Sequence, residues 1–114
     1  MIDAYMAGHG IRIKGRMYQS DVKIIGGEVQ ANWWRKAGHR LDQDDLSDIL
    51  ENQPDILVVG TGYAGMMRVP DATREALANH GISMQVEKTD SAVRVFNRLY
   101  KEGRKVAGAF HLTC

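Results

Sequence analysis

The clearest feature of the hydrophobic pattern is an unbroken apolar run at residues 56–59, which ends in three glycines within six residues. A run that is apolar at every position, and too short for a solitary helix, is typical of a strand buried between two layers. Gly60, Gly62 and Gly65 predict a sharp turn at the end of this strand, where open α/β sheets place their ligands. We therefore expect the central strand and the principal site within residues 54–65.

The first third of the chain has the alternating pattern of a β meander. Residues 11–14 alternate between apolar and charged side chains, which is the period of a half-buried strand. A second hairpin is predicted around the two glycines at 26–27, because glycine supplies the positive φ that tight hairpin turns need. This turn pairs Ile24 with Val29, extends the second strand over residues 28–33, and places five residues on one apolar face: Val22, Ile24, Val29, Ala31 and Trp33.

The remaining two thirds alternate between helical and strand patterns, which predicts an α/β fold. Helices are predicted from Asp42 to about Asn52, at residues 70–81, and from Thr89 to the glycine at 103, with Asp42 and Thr89 as N-cap residues. Further strands are predicted at 82–86 and 106–112. The strand at 106–112 should be an interior one, since it lacks outward polar residues until His111.

Length, charge and cysteine content narrow the class of protein. A chain of 114 residues can bury a core, and we expect it to form one domain spanning residues 1–114. The net charge of +1, with scattered Lys and Arg, argues against a nucleic acid or an anionic membrane as partner. No apolar segment approaches the roughly 20 residues that span a bilayer, and a single cysteine, Cys114, fits a reducing compartment. The expectation is a soluble, cytoplasmic protein.

The glycine loop matches the dinucleotide-binding pattern, but its context argues against that function. Residues 60–65 read G-x-G-x-x-G and Glu87 lies downstream at about the expected distance of 20 residues. The fingerprint needs a helix that starts inside the glycines, whereas Pro70 places the next helix start about eight residues after Gly62. Two alternatives stay open: a structural loop, or a small anion or polar ligand held by loop amides and the Thr61 hydroxyl.

No catalytic or metal-binding pattern is present in the sequence. The four histidines show no ligand spacing with one another or with Cys114, so we predict no metal and no cofactor: His9, His39, His80 and His111. The candidate nucleophiles lie in no elbow motif: Thr61, Thr89, Ser91 and Cys114. The sequence therefore predicts no catalytic residues.

Two adjacent tryptophans suggest a different kind of site. Trp33 and Trp34 must point in opposite directions if they lie in a strand, so one ring is predicted to be buried and the other partly exposed. Large aromatic residues pack in cores but also anchor interfaces, and both roles stay open here. Trp34 and Arg35 are the candidate interaction residues.

Four segments together resemble the Mth domain family of unknown function. They are ILVVGTG at the central strand, the VP that opens the next helix, Thr89 followed by AVRVFNRLYKEGR, and VAGAFHLTC at the end. The resemblance covers residues 11–114 and implies a three-layer α/β fold with a mixed central sheet, an extra β hairpin on one side and about three helices. The eukaryotic relatives of this family include an adipogenesis-associated cytosolic protein and a mitochondrial assembly factor for respiratory complex I.

The family resemblance implies no established reaction and no catalytic residues. Its best-matched region around a cleft is residues 60–66 with Thr89, which completes the predicted ligand-binding set: Gly60, Thr61, Gly62, Gly65, Met66 and Thr89. Two hypotheses follow. The favoured one is a non-catalytic interaction or assembly protein with an unknown protein partner, and homo-oligomerisation through the tryptophan region is a variant of it. The alternative is a small-ligand binder or enzyme that uses the loop at residues 60–65.

Overall fold

The computed structural model describes every residue of the chain, 1–114, and has two β-sheets and three α-helices. The strands are β1 (Ile2–Met6), β2 (Gly10–Ile13), β3 (Arg16–Tyr18), β4 (Val22–Ile25), β5 (Glu28–Gln30), β6 (Ile56–Thr61), β7 (Ser83–Glu87) and β8 (Val106–His111). The helices are α1 (Ser47–Asn52), α2 (Asp71–Asn79) and α3 (Thr89–Lys101), and a 3-10 turn at Gln43–Leu46 precedes α1.

The central sheet is mixed, as predicted. Its strand order is β5-β4-β8-β6-β7. Strand β6 runs parallel to both of its neighbours, β7 and β8, whereas β4 runs antiparallel to β8 and β5. Strands β1, β2 and β3 form a separate antiparallel sheet. The predicted interior position of the strand near residues 106–112 is confirmed, because β8 lies between β4 and β6.

Strand β6 contributes side chains to two separate cores. Val58 packs with residues of α3 and of the small sheet, such as Phe96 and Ile11. Its neighbours Leu57 and Val59 pack on the opposite face with residues of α1 and α2. This alternation explains why the run is apolar at every position: each face of the strand meets an apolar layer. The predicted three-layer α/β fold is therefore confirmed.

The hairpin of β4 and β5 has the predicted register but ends early. Ile24 pairs with Val29 as expected, and the ladder stops at the pair formed by Lys23 and Gln30. The prediction of a strand that continues to Trp33 is wrong, because Asn32 adopts a φ of 55° and takes the chain out of the sheet. As a result Trp33 packs in the core on the α1 and α2 side, opposite to the predicted face.

The start of α3 also differs from the prediction. Thr89 is the first helical residue rather than the N-cap, which is Lys88. The Thr89 hydroxyl instead bonds to residues of two other segments, Gly62 and His111. Strand β1 was not predicted from the hydrophobic pattern. None of the helices has the length and apolar composition required to span a bilayer.

Candidate functional site

The glycine loop at residues 60–65 is closely packed. Gly62 has a φ of 103°, and a Cβ at this position would overlap the carbonyl oxygen of Thr113. A Cβ on Gly60 would lie 2.8 Å from Thr89 Oγ1 and 3.1 Å from the Phe110 ring. Glycine is required at both positions because neighbouring segments fill the space that a side chain would occupy.

The amides of this loop donate within the protein. The Gly62 amide donates to Thr89 Oγ1 at 2.8 Å, and the Gly65 amide donates to the Gly62 carbonyl at 3.3 Å. The Met66 amide donates to the Cys114 carbonyl at 3.1 Å. An anion cradle would need such amides to point at a ligand, and these three already have partners.

The two threonines of the predicted ligand set connect separate strands. The buried Thr89 hydroxyl accepts from Gly62 and donates to the His111 carbonyl at 2.6 Å, so it joins the glycine loop to the end of β8. The Thr61 hydroxyl donates to the carbonyl of Glu87 at 3.1 Å and joins β6 to β7. The structure thus brings most of the predicted ligand-binding residues together, with their polar groups bonded to one another or to adjacent strands. A ligand at this loop stays a prediction.

An open cavity of about 320 Å³ lies beside this loop, on the side of the tryptophans. Only two of its ten lining residues, the tryptophans, are hydrophobic. It is built from three separate parts of the chain: the segment before β4, the segment after β5, and the end of β8. Its aromatic and ionisable lining residues are Asp21, Trp33, Trp34, Arg35, His39 and His111.

A buried ionic network forms the wall of the cavity. Asp21 Oδ2 lies 2.8 Å from Arg35 Nη1 and 2.7 Å from His111 Nδ1, and Asp21 Oδ1 accepts from the Leu112 amide at 2.8 Å. Arg35 also donates to the Gly38 carbonyl at 2.7 Å, which fixes the loop after the tryptophans. The network therefore joins three segments of the chain that are distant in sequence.

The pKa of Asp21 reflects this network. Burial alone raises it, but hydrogen bonds from His111, from the Leu112 amide and from Arg35 lower it by more, so the pKa of the carboxyl lies below its usual range. An ionised Asp21 can accept a hydrogen bond from His111 Nδ1. Arg35 Nη2 also lies 3.0 Å from the same nitrogen. We assign the Nδ1 proton to the bond with Asp21, because it is the shorter contact and joins a donor to an anion.

The two tryptophans differ as predicted. Trp33 is buried, and the Arg35 guanidinium stacks 4.7 Å from its ring centroid. Trp34 is 86% exposed and lies at the cavity rim. Arg35, which was predicted as an interaction residue, has a side chain only 4% exposed, and it forms part of the cavity wall through its ion pair with Asp21. The exposed member of the predicted interaction pair is therefore Trp34.

Sequence reasoning missed a cluster of two histidines and the cysteine at the edge of the cavity. One ring nitrogen of His39, one ring nitrogen of His111 and Cys114 Sγ all lie within 4.8 Å of one another. Nothing in their spacing along the chain indicates this, because the fold brings His39 to the end of β8. Asp21 carried no signal either, since an isolated acid in a loop has no distinguishing pattern.

Comparison with known proteins gives the family. The family model described as protein of unknown function (DUF498/DUF598) matches residues 2–111. The chain belongs to this family. The resemblance to the Mth domain family is confirmed by a solved structure named MT938, which is 26% identical with a TM-score of 0.82 and covers 100% of this chain and 98% of its own.

Other solved structures of similar fold extend this comparison. An outer membrane protein from Bartonella henselae is 30% identical, with a TM-score of 0.83 and coverage of 99% of this chain and 94% of its own. A Mth938-like domain from Bordetella pertussis is 19% identical, with a TM-score of 0.69 and coverage of 98% and 85%. The second likeness concerns the fold alone. The DUF498/DUF598 family description assigns no reaction.

Proposed function

We propose that residues 1–114 form one non-catalytic binding domain that docks a protein partner through the surface around Trp34. The observation that carries the proposal is the 86% exposure of this large aromatic side chain at the rim of an open cavity. Tryptophan is strongly enriched among the residues that dominate binding energy in interfaces, because its ring removes a large apolar area from water.

The rigidity of the neighbouring wall supports this proposal. Trp33 packs in the core directly before Trp34, and Arg35 directly after it is held by Asp21 and by the Gly38 carbonyl. Anchoring on both sides limits the backbone freedom of Trp34. A rim residue that is already ordered loses less entropy when a partner binds. The scattered surface charge favours a protein over a nucleic acid as this partner.

The experiment compares two exposed aromatic residues. A partner recovered with the full chain from its native cells is purified, and its dissociation constant is measured for the wild type, Trp34→Ala and Tyr63→Ala. Tyr63 is 54% exposed and lies in the glycine loop, outside the lining of the cavity. We expect Trp34→Ala to weaken binding at least about 30-fold, the effect of a hot-spot residue worth about 2 kcal/mol, and Tyr63→Ala to leave it nearly unchanged.

Equal affinities for the wild type and Trp34→Ala would overturn the proposal. Sedimentation of the chain alone over a concentration series separates the homo-oligomer variant. If Trp34→Ala converts a dimer into a monomer, the partner is a second copy of this chain.

We propose a cytoplasmic location for the protein. The single Cys114 supports it, because a chain with one cysteine gains no internal disulfide from an oxidising compartment. Fractionation of the native cells tests the location, and recovery of the protein with membranes or outside the cell would contradict it.

A ligand at residues 60–65 is the alternative function. It is tested by a thermal-shift screen of the full chain against nucleotides, phosphorylated metabolites and divalent metals. A ligand at about 100 times its dissociation constant adds roughly 2.7 kcal/mol of stability, which is visible as a shift of several degrees. A selective shift with a phosphorylated compound would favour the glycine loop over the Trp34 surface.

A further inference from the structure

We propose that His39, His111 and Cys114 form a binding site for one Zn²⁺ ion at the edge of the cavity. One ligand atom of each side chain lies within 4.8 Å of the other two. Two imidazole nitrogens and one thiolate are a ligand set that zinc prefers, and three protein ligands leave a fourth tetrahedral position open to water or another ligand.

The buried nitrogen of His111 is the observation that points to a ligand. His111 is 5% exposed, its Nδ1 lies 2.7 Å from Asp21, and its Nε2 is buried with no hydrogen-bond partner. With the proton on Nδ1, a neutral ring presents a bare lone pair at Nε2. A buried polar atom without a partner is costly, and a metal ion would satisfy it.

Asp21 has the position of a carboxylate that orients a metal-bound histidine. In such sites the nitrogen that does not bind the metal donates to a carboxylate, which fixes the tautomer and the ring orientation. The contact between Asp21 and His111 Nδ1 has this arrangement. Arg35 lies on the same side of the ring, at 3.0 Å from Nδ1, and its charge is offset by the bound Asp21.

The other two ligands can adjust to a metal ion. Tetrahedral zinc with bonds of about 2.0 to 2.3 Å brings its ligand atoms to within about 3.5 Å of one another. His39 is exposed and Cys114 is half-buried, so both side chains have room to close around the fixed His111. The ring centroids of His39 and His111 lie 5.7 Å apart.

A nucleophilic thiol paired with His111 is the competing interpretation of the same atoms. It would use Cys114, His111 and Asp21, but it would leave His39 without a role. Acyl transfer also needs amide donors for an oxyanion. Three amides of the adjacent glycine loop are already bonded within the protein. The presence of a third metal-type ligand favours the zinc site.

The test is a metal titration of the full chain after treatment with a chelator. Calorimetry with Zn²⁺ is expected to give one site per chain, and Co²⁺ is expected to give a thiolate-to-cobalt charge-transfer band with the visible bands of a tetrahedral ion. Cys114→Ser and His39→Ala should each weaken Zn²⁺ binding at least about tenfold, because losing a ligand costs at least as much as losing a residue that only orients a ligand. Cys114→Ser should also abolish the charge-transfer band.

His80→Ala is the matched control. It removes an exposed histidine that lies outside the cluster and leaves the three ligands intact. We expect its Zn²⁺ affinity to equal that of the wild type. The proposal is overturned if the wild type binds no Zn²⁺, if His39→Ala and Cys114→Ser bind it as tightly as the wild type, or if His80→Ala weakens binding as much as they do. Circular dichroism of each variant excludes a loss of folding as the cause.

Discussion

The glycine loop and the cavity lie side by side and both contact the segment at residues 111–114, yet they differ in how the space is used. In the loop, Gly62 and Gly60 approach other segments so closely that no side chain fits. In the cavity, about 320 Å³ is open, Trp34 is exposed and His111 Nε2 has no partner. The region with a recognisable motif is closed, and the region without one is open.

A glycine motif can arise from close packing within the protein as well as from contact with a ligand. Glycine is required wherever a backbone must approach another group closely, and that group can be a phosphate or the protein itself. Here the group at Gly62 is the carbonyl of Thr113. A glycine pattern therefore indicates close approach, and the nature of the approaching group has to be established separately.

The largest effect is expected for Gly62→Val. The new side chain would overlap Thr113 and would force a β-branched residue to a φ of 103°, so we expect a loss of about 4 kcal/mol or more, or failure to fold. Gly38→Ala is the matched control on the cavity side, because its Cβ would meet no atom within 4 Å. It should change stability by less than about 0.5 kcal/mol in urea unfolding. A Gly62→Val protein of normal stability would show that the loop is not closed.

A smaller loss is expected for Thr89→Val. The substitution keeps the shape of the side chain but leaves the Gly62 amide and the His111 carbonyl without their buried partner, which should cost about 3 kcal/mol in all. Thr89→Ser keeps the hydroxyl and should lose only about 1 kcal/mol. Urea unfolding of both variants measures the difference. Equal losses would mean that the methyl group of Thr89, rather than its hydroxyl, stabilises the contact between the glycine loop and β8.

Tyr5→Phe should have a moderate, pH-dependent effect. The Tyr5 hydroxyl donates to the Leu112 carbonyl at 2.6 Å, and its removal should cost about 1 kcal/mol at pH 7. Burial raises the pKa of Tyr5 above its ordinary 10.0, with a further contribution from Asp90. The stability that Tyr5 contributes is therefore complete below pH 10.0 and is lost as the pH rises through the higher folded pKa.

Unfolding curves of the wild type and Tyr5→Phe across pH 7 to about 11 test this. The gap between the two proteins should narrow at the alkaline end, since phenylalanine does not titrate. A constant gap would show that the phenol is not more firmly protonated in the folded state.

Much of the fold follows from local pattern, because its signals are contained in short segments. The apolar run of β6 and the two-glycine turn at residues 26–27 each determine their own structure, and both predictions are confirmed. The early end of β5 could not be predicted, since Asn32 can adopt either sign of φ and the packing of Trp33 decides it.

The candidate site depended on contacts that no local pattern encodes. Thr89 has the sequence context of an N-cap, but its hydroxyl is used by strands distant in sequence. Asp21, His39 and His111 meet only after the central sheet has formed, and each is unremarkable within its own segment. One exposed tryptophan was predicted, although from a strand that in fact ends before Trp33, and the position of Trp34 beside the cavity was not predicted.

The smallest effect on stability is expected for Trp34→Ala. Its ring is 86% exposed, so truncation should change the free energy of unfolding by less than about 0.5 kcal/mol. Trp33→Ala, one residue earlier, removes a buried ring and should cost about 3 to 5 kcal/mol. Urea unfolding of the pair measures both. A loss above about 1.5 kcal/mol for Trp34→Ala would mean that the ring packs on the protein, and the cavity rim would then lack its anchor for a partner.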